Sequence, residues 1–144
     1  MADARSARYQ RPARCLVETG SSWVTESSAV WQAHDEGQIV GHVMACAIAD
    51  IFYIARRLTA LETARTAVHI CLEAFEICAV DHQALEQARA LPGSDFEDNL
   101  QIVCAGLAGL DAIVTRDKKG FKAAAMPVLT PAELLTRLSQ LAEA

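Results

Sequence analysis

No apolar run in this chain approaches the roughly 18 residues that a membrane span needs. A membrane is therefore not an expected partner. No Cys-x-x-Cys pair is present, and the cysteines, Cys15, Cys46, Cys71, Cys78 and Cys104, are odd in number and irregularly spaced. Zinc sites and disulfide frameworks both need regular pairs, so neither is supported. Four of the thiols lie in apolar surroundings, which fits a reduced cytoplasmic protein with buried cysteines. Gly-x-Ser-x-Gly, Gly-x-Gly-x-x-Gly and the Gly-Lys-Ser/Thr phosphate loop are all missing. His34, His42, His69 and His82 are scattered, none with a Ser or Cys partner in sequence. Repeats, low-complexity tracts and interdomain linkers are missing as well.

What remains is one domain's worth of chain, 144 residues with a 52% apolar fraction that can fill a single core. The net charge of −5 is unevenly spread. Arg5, Arg8, Arg11 and Arg14 face only Asp3 in the opening stretch, and without it the body would stand at about −8. An acidic body argues against binding duplex DNA by bulk charge. A metal-dependent nuclease stays open, because bound cations invert the local sign. The basic, acid-poor start also has the composition of an organelle transit peptide, but it lacks a clear amphipathic helix and Pro12 interrupts it. Residues 1–22 are accordingly expected to be an irregular basic leader, and residues 23–144 a single domain.

Within the leader, Cys15–Glu18 offers at most a short strand. Helical periodicity starts near Thr25 and runs toward Gly37. Ile39–Cys46 reads as a buried strand and Ala47–Leu58 as an apolar helix, with Arg56 and Arg57 suiting its C-terminus. Leu61–Glu76 is a second helix, with Leu61, Ala64, Val68, Leu72 and Phe75 on one stripe. Ile77–Val80 is a short strand, and Asp81 caps a helix that Pro92-Gly93 ends. Ser94-x-x-Glu97 has capping-box spacing, which assigns Glu97 a structural role. Phe96, Leu100, Val103, Cys104 and Leu107 form the inward stripe of that helix, and Gly109 stops it. Ala112–Thr115 and Val128-Leu129 are strands. Thr130-Pro131-Ala132-Glu133 opens the last helix as a capping box with Pro at its first position. Strands alternating with helices imply right-handed crossovers and a mostly parallel sheet between helical layers.

Ligands of such sheets collect at the carboxyl ends of strands. Asp117 follows one strand, Asp50 lies early in the helix after another, and Asp98 sits in the first turn begun at Ser94. Each acid has a plainer role. Asp50 could face water, Asp95 and Asp98 could favour the helix N-terminus, and Asp117 could form a turn. Together, three carboxylates at one edge would repel without a cation, and hard oxygen donors suit Mg²⁺ or Mn²⁺. Such an ion activates water for phosphodiester hydrolysis. Arg116, Lys118, Lys119 and Lys122 beside Asp117 are either a solvated loop or contacts to the phosphates of a single-stranded RNA.

Three segments carry a resemblance: the DFED-x-LQ opening, IVTRDKKGF and PVLTPAELL, together with GQIVGHVMACAIADIFYIARRL further upstream. From about Val24 to Leu135 the chain resembles PIN-domain proteins. The resemblance implies a three-layer α/β/α fold and a metal-dependent ribonuclease. It also implies membership of a toxin–antitoxin pair, with an antitoxin-like partner and a homodimer. Carried over, the metal-site acids are Asp50, Asp98 and Asp117. The departure is at the front, where the family's first strand ends in Asp followed by Thr-Asn and a helix. Here the nearest match is Val17-Glu18-Thr19-Gly20, and few residues separate Glu18 from Trp23. Either Glu18 stands in as the fourth ligand, or the first strand is missing or altered. The second case implies an upstream start or frame change, and a catalytically impaired module that binds a partner protein.

Overall fold

Cys15, Leu16 and Val17 are apolar in succession, as suits a strand covered on both faces. A computed structural model, describing residues 11–18 and 28–143, places them in strand β1 (Ala13–Val17). The other strands are β2 (Ile39–Met44), β3 (Glu76–Cys78), β4 (Ala112–Val114) and β5 (Val128–Leu129). They form one sheet in the order β3-β2-β1-β4-β5, with every pairing parallel. β1 is thus the central strand, with Leu16 opposite His42 on one side and Ile113 on the other. Residues expected to be an irregular leader therefore supply the middle of the sheet, and the first strand is present. The junction at residues 22 and 23, and the segment expected to lack a helix, lie outside the described residues.

Asp111 secures the entry of β1. Its carboxylate accepts the Arg14 amide at 2.8 Å and the Arg11 guanidinium at 2.7 Å, while its own amide donates to Arg14 O at 2.7 Å. Side-chain alternation then separates two cores. Leu16, Met44, Cys78 and Ile113 face α4 (His82–Ala90) and α5 (Phe96–Leu107), meeting Ala84, Ala88, Leu100, Val103 and Cys104. Cys15, Val17, Ile39, Ala112 and Val114 face α1 (Ser28–Asp35) and α6 (Pro131–Glu143), meeting Val30, Ala33, Leu134 and Leu138. The result is the expected three-layer α/β/α arrangement. Helices α2 (Ala45–Leu58) and α3 (Leu61–Ala74) extend it at the β2 side. There Phe75 packs on Val43 and lies 5.0 Å from the Trp31 ring. Gly41 leaves room for the Phe75 ring, since a Cβ would come within 2.7 Å of it.

Local signals match in several places. Asp81 accepts the Ala84 amide at 2.9 Å, and Thr130 and Glu133 exchange both bonds of their capping box at 3.2 Å. Gly37 and Gly109 end their helices with φ of 74° and 63°, values that glycine adopts without a Cβ clash. Other expectations shift. β2 stops at Met44, where its pairing with β3 ends at Cys78, so Ala45 and Cys46 join α2. Phe96 and Leu107 are exposed at opposite ends of α5, beyond the elements that cover its middle. Leu72 is likewise exposed, because only part of the α3 stripe meets a neighbour. All five cysteines are free, and burial pushes the Cys15 thiol up to about 12, with Asp111 adding to the rise. No helix among the described residues is long and apolar enough to cross a membrane.

If β1 belongs to the cooperative core, Leu16→Ala should lower unfolding free energy by about 2–5 kcal/mol in a urea titration. A loss below about 1 kcal/mol would place the strand outside that core.

Candidate active site

The strand order reverses at β1. The chain steps outward from β1 to β3, then returns to the far side of β1 for β4. Such a switch opens a crevice at the carboxyl ends of the two diverging strands. Glu18 leaves β1 at that point, and its amide donates to Val114 O at 3.0 Å, extending the ladder by one residue. Thr115 leaves β4 beside it, fully buried, and donates its hydroxyl to Glu18 Oε2. The Thr115 hydroxyl oxygen in turn accepts the Asp117 amide at 3.2 Å. One threonine therefore orients the first acid and the loop that carries another.

The opposite wall comes from two helices. Asp50 lies one and a half turns into α2. Asp95 caps α5, its carboxylate accepting the Asp98 amide at 3.0 Å. The expected Ser94–Glu97 box does not form. Asp caps as well as Ser, and the helix starts one residue later than the box requires. Glu97 is thereby released from capping and turns into the cleft. A cavity of about 390 Å³ results, lined by Glu18, Asp50, Asp95, Glu97, Asp98 and Gln101, with Tyr53, Ile54 and Arg57 of α2 along one side.

Its electrostatics follow from crowding like charges. Burial, then Asp95, Glu18, Glu97 and Asp117, push Asp98 up to about 6. Burial, then Asp50, Asp95 and Glu18, hold Glu97 above the usual carboxylate range. Gly120 follows from the same packing: a Cβ there would collide with Asp98 Oδ2, so the loop after β4 closes directly onto that carboxylate.

Of the acids chosen from the sequence, Asp50 and Asp98 line the cavity, as does Glu18. Asp117 does not line it, but its charge acts on Asp98. One Asp117 oxygen also accepts the Lys119 amide at 3.1 Å, so the turn role is real too. Arg116 and Lys119 are exposed on the same loop. Lys118 pairs with Glu133 of α6 at 2.9 and 3.2 Å. Besides Asp95 and the α2 residues Tyr53, Ile54 and Arg57, two further cavity residues were not chosen from the sequence, Glu97 and Gln101. The competing cap Asp95 was a legible warning for the first. For the second, the only signal is a polar residue one turn beyond Asp98 in an otherwise apolar stretch.

Gln101 is the most telling of the lining residues. It is 95% buried, its relative exposure being 5%, and its Oε1 has no hydrogen-bond partner within the described residues. It borders both the main cavity and a void of about 10 Å³ beneath it that also touches Glu18 and Glu97. A buried acceptor without a donor costs stability unless something fills the site. Among the described residues, no three His, Cys, Asp or Glu side chains already converge as ligands of one ion. The donor chemistry nonetheless fits a hard divalent cation: carboxylate and amide oxygens, no thiolate or imidazole, and repulsion that a cation relieves.

An open parallel α/β sheet with an acidic cleft at its switch point defines the class. Within it, a sequence model of the PIN domain matches residues 14–119, and the chain belongs to that family. Solved structures share the fold. The VapC20 toxin of Mycobacterium tuberculosis, described as cleaving the sarcin–ricin loop, aligns with a TM-score of 0.58 at 14% identity, over 76% of this chain and 94% of its own. DNA-bound VapBC from Salmonella typhimurium aligns at 0.61 and 15% identity, over 81% and 96%. A toxin–antitoxin complex from Klebsiella pneumoniae aligns at 0.59 and 19% identity, over 81% and 97%. Comparison with curated protein sequences gives no match.

Asp98 binds its proton more tightly when folded than unfolded, so it contributes less stability as pH rises from about 4 to 6. In chelator, Asp98→Asn should therefore melt higher than the wild type at neutral pH, the difference closing toward pH 4. Equal melting temperatures at both pH values would show that the carboxylate is not under strain.

Proposed function

We propose that this chain is a divalent-metal-dependent endoribonuclease of PIN type, the toxin of a toxin–antitoxin pair. The observation that carries it is the meeting of carboxylates from β1, α2 and α5 around the buried, unpartnered Gln101 oxygen. Asp50, Asp98 and Asp117 would hold Mg²⁺ or Mn²⁺, with Glu18 as the further ligand and Glu97 beside them. When bound, the ion lowers the pKa of a water and offsets charge on the phosphodiester.

The chain's own groups do the rest. The Thr115 hydroxyl fixes Glu18. Asp95 holds the first turn of α5, and with it the backbone of Asp98. Arg116, Lys118 and Lys119 approach the RNA phosphates. The Lys118–Glu133 pair is solvent-exposed, and such pairs are worth little, so a phosphate can displace it. The toxin reading draws on the fold shared with VapC20 and the two toxin–antitoxin complexes. An antitoxin-like protein, a second copy of the chain and a cytoplasmic setting belong to the same proposal.

A second reading has its own observation. Glu18 stands where the family has Asp, and one oxygen of its longer side chain accepts the Thr115 hydroxyl. On that reading the chain is a catalytically impaired module that binds a partner protein.

Cleavage of single-stranded RNA in Mg²⁺ or Mn²⁺ separates the two. The nuclease reading expects cutting that chelator abolishes. Removing groups behind a metal ligand typically costs about 10–100-fold, so Asp98→Asn should cost at least that much. Equal cutting by Asp98→Asn and the wild type sinks it. An inert wild type that Glu18→Asp activates supports the impaired module, and robust wild-type turnover removes that alternative.

A further inference from the structure

Helix α2 brings more to the cleft than an acid. Asp50, Tyr53, Ile54 and Arg57 are spaced i, i+3, i+4 and i+7, so they form one stripe along the cavity wall. Tyr53 is 63% exposed, unusual for a large ring on a helix packed against a domain. Its orientation is set: the Phe52 ring meets it edge-on, with centroids 5.2 Å apart and planes at 86°. Among the described residues, Arg57 is the one cation lining the cavity, against five carboxylates. No hydrogen bond or ion pair ties it among the described residues. An exposed ring, a guanidinium one turn on and a row of acids opposite are the components of a site for a phosphodiester-linked base.

We propose that Tyr53 and Arg57 form a nucleotide subsite on the α2 wall, for a residue of single-stranded RNA flanking the phosphate held at the acids. It rests on the nuclease reading for the identity of the polymer. The Tyr53 ring stacks on the base, which every base allows because each has a π-face, so the subsite grips the strand without selecting sequence. Arg57 offsets the charge of the adjoining phosphate, which would otherwise meet only the carboxylates of Asp50 and Asp98 in the cleft. A paired base cannot reach the ring, so the subsite favours single strands over duplex. The basic loop after β4 and Arg57 then hold the strand from two sides of the acids.

The test is the fluorescence anisotropy of a labelled single-stranded oligoribonucleotide with 2′-O-methyl sugars, titrated in Mg²⁺ with the full chain. Tyr53→Ala should weaken binding by about 5- to 150-fold, the range for one stacked base, while Tyr53→Phe stays close to wild type. Arg57→Gln should weaken binding and reduce the salt slope by about 0.7, whereas Arg57→Lys keeps the slope. Circular dichroism and thermal melting confirm that each variant folds. The subsite is overturned if Tyr53→Ala and Arg57→Gln bind as the wild type does. It is equally overturned if Tyr53→Phe and Arg57→Lys lose as much, or if the wild type does not bind the oligonucleotide. Wild-type binding with these dependences but no cleavage of unmodified RNA overturns the nuclease reading alone. Cleavage and binding untouched by both variants overturn the subsite alone.

Discussion

The parallel pairing of β1 with β2 on one side and β4 on the other is the constraint on which the acidic cleft depends. Because β1 is central, its carboxyl end opens at the point where the strand order reverses. Glu18 is delivered there by the ladder, through its amide on Val114 O, and Thr115 is delivered beside it from β4. The Asp111 contacts to Arg14 and Arg11 hold the other end of the same pairing. Slipping β1 by one residue would exchange Leu16 with Cys15 and Val17 between the two cores, so the register is strongly specified. The position of the first acid is thus a consequence of core packing.

Within the cleft, electrostatics oppose folding and favour a ligand. Asp98 and Glu97 are both held toward their protonated forms by burial and by neighbouring carboxylates, and Gln101 buries an acceptor with no donor. Groups of this kind cost stability in the empty protein. That cost is the usual mark of a site arranged for a charged guest rather than for structure. Helix α2 adds an exposed ring and an arginine beside its own acid, Asp50.

Much of the fold was legible from residue patterns. The capping box at Thr130 and Glu133, the Asp81 cap and the glycine stops at Gly37 and Gly109 are local, and local chemistry decided them. The alternation of strands and helices was enough to imply a parallel three-layer sheet. β1 was misjudged because a fully buried strand has no polar alternation to mark it, and its arginine-rich approach resembles a leader. The Ser94 box was misjudged because two good caps stand side by side, and only the packed helix chooses between them.

Of the cavity, the sequence by itself pointed to two acids, Asp50 and Asp98, because one lies early in the helix after a strand and the other in the first turn of a helix. Tertiary structure alone decided that Glu97 joins them, that Gln101 is buried beside them and that Arg57 lines the same cavity. Asp95 rather than Ser94 caps α5, which leaves Glu97 out of a capping box. Helix α2 starts directly where the β2–β3 pairing ends, and it shares the cavity with α5. The meeting of α2 and α5 joins elements far apart in the chain, and no local pattern encodes it.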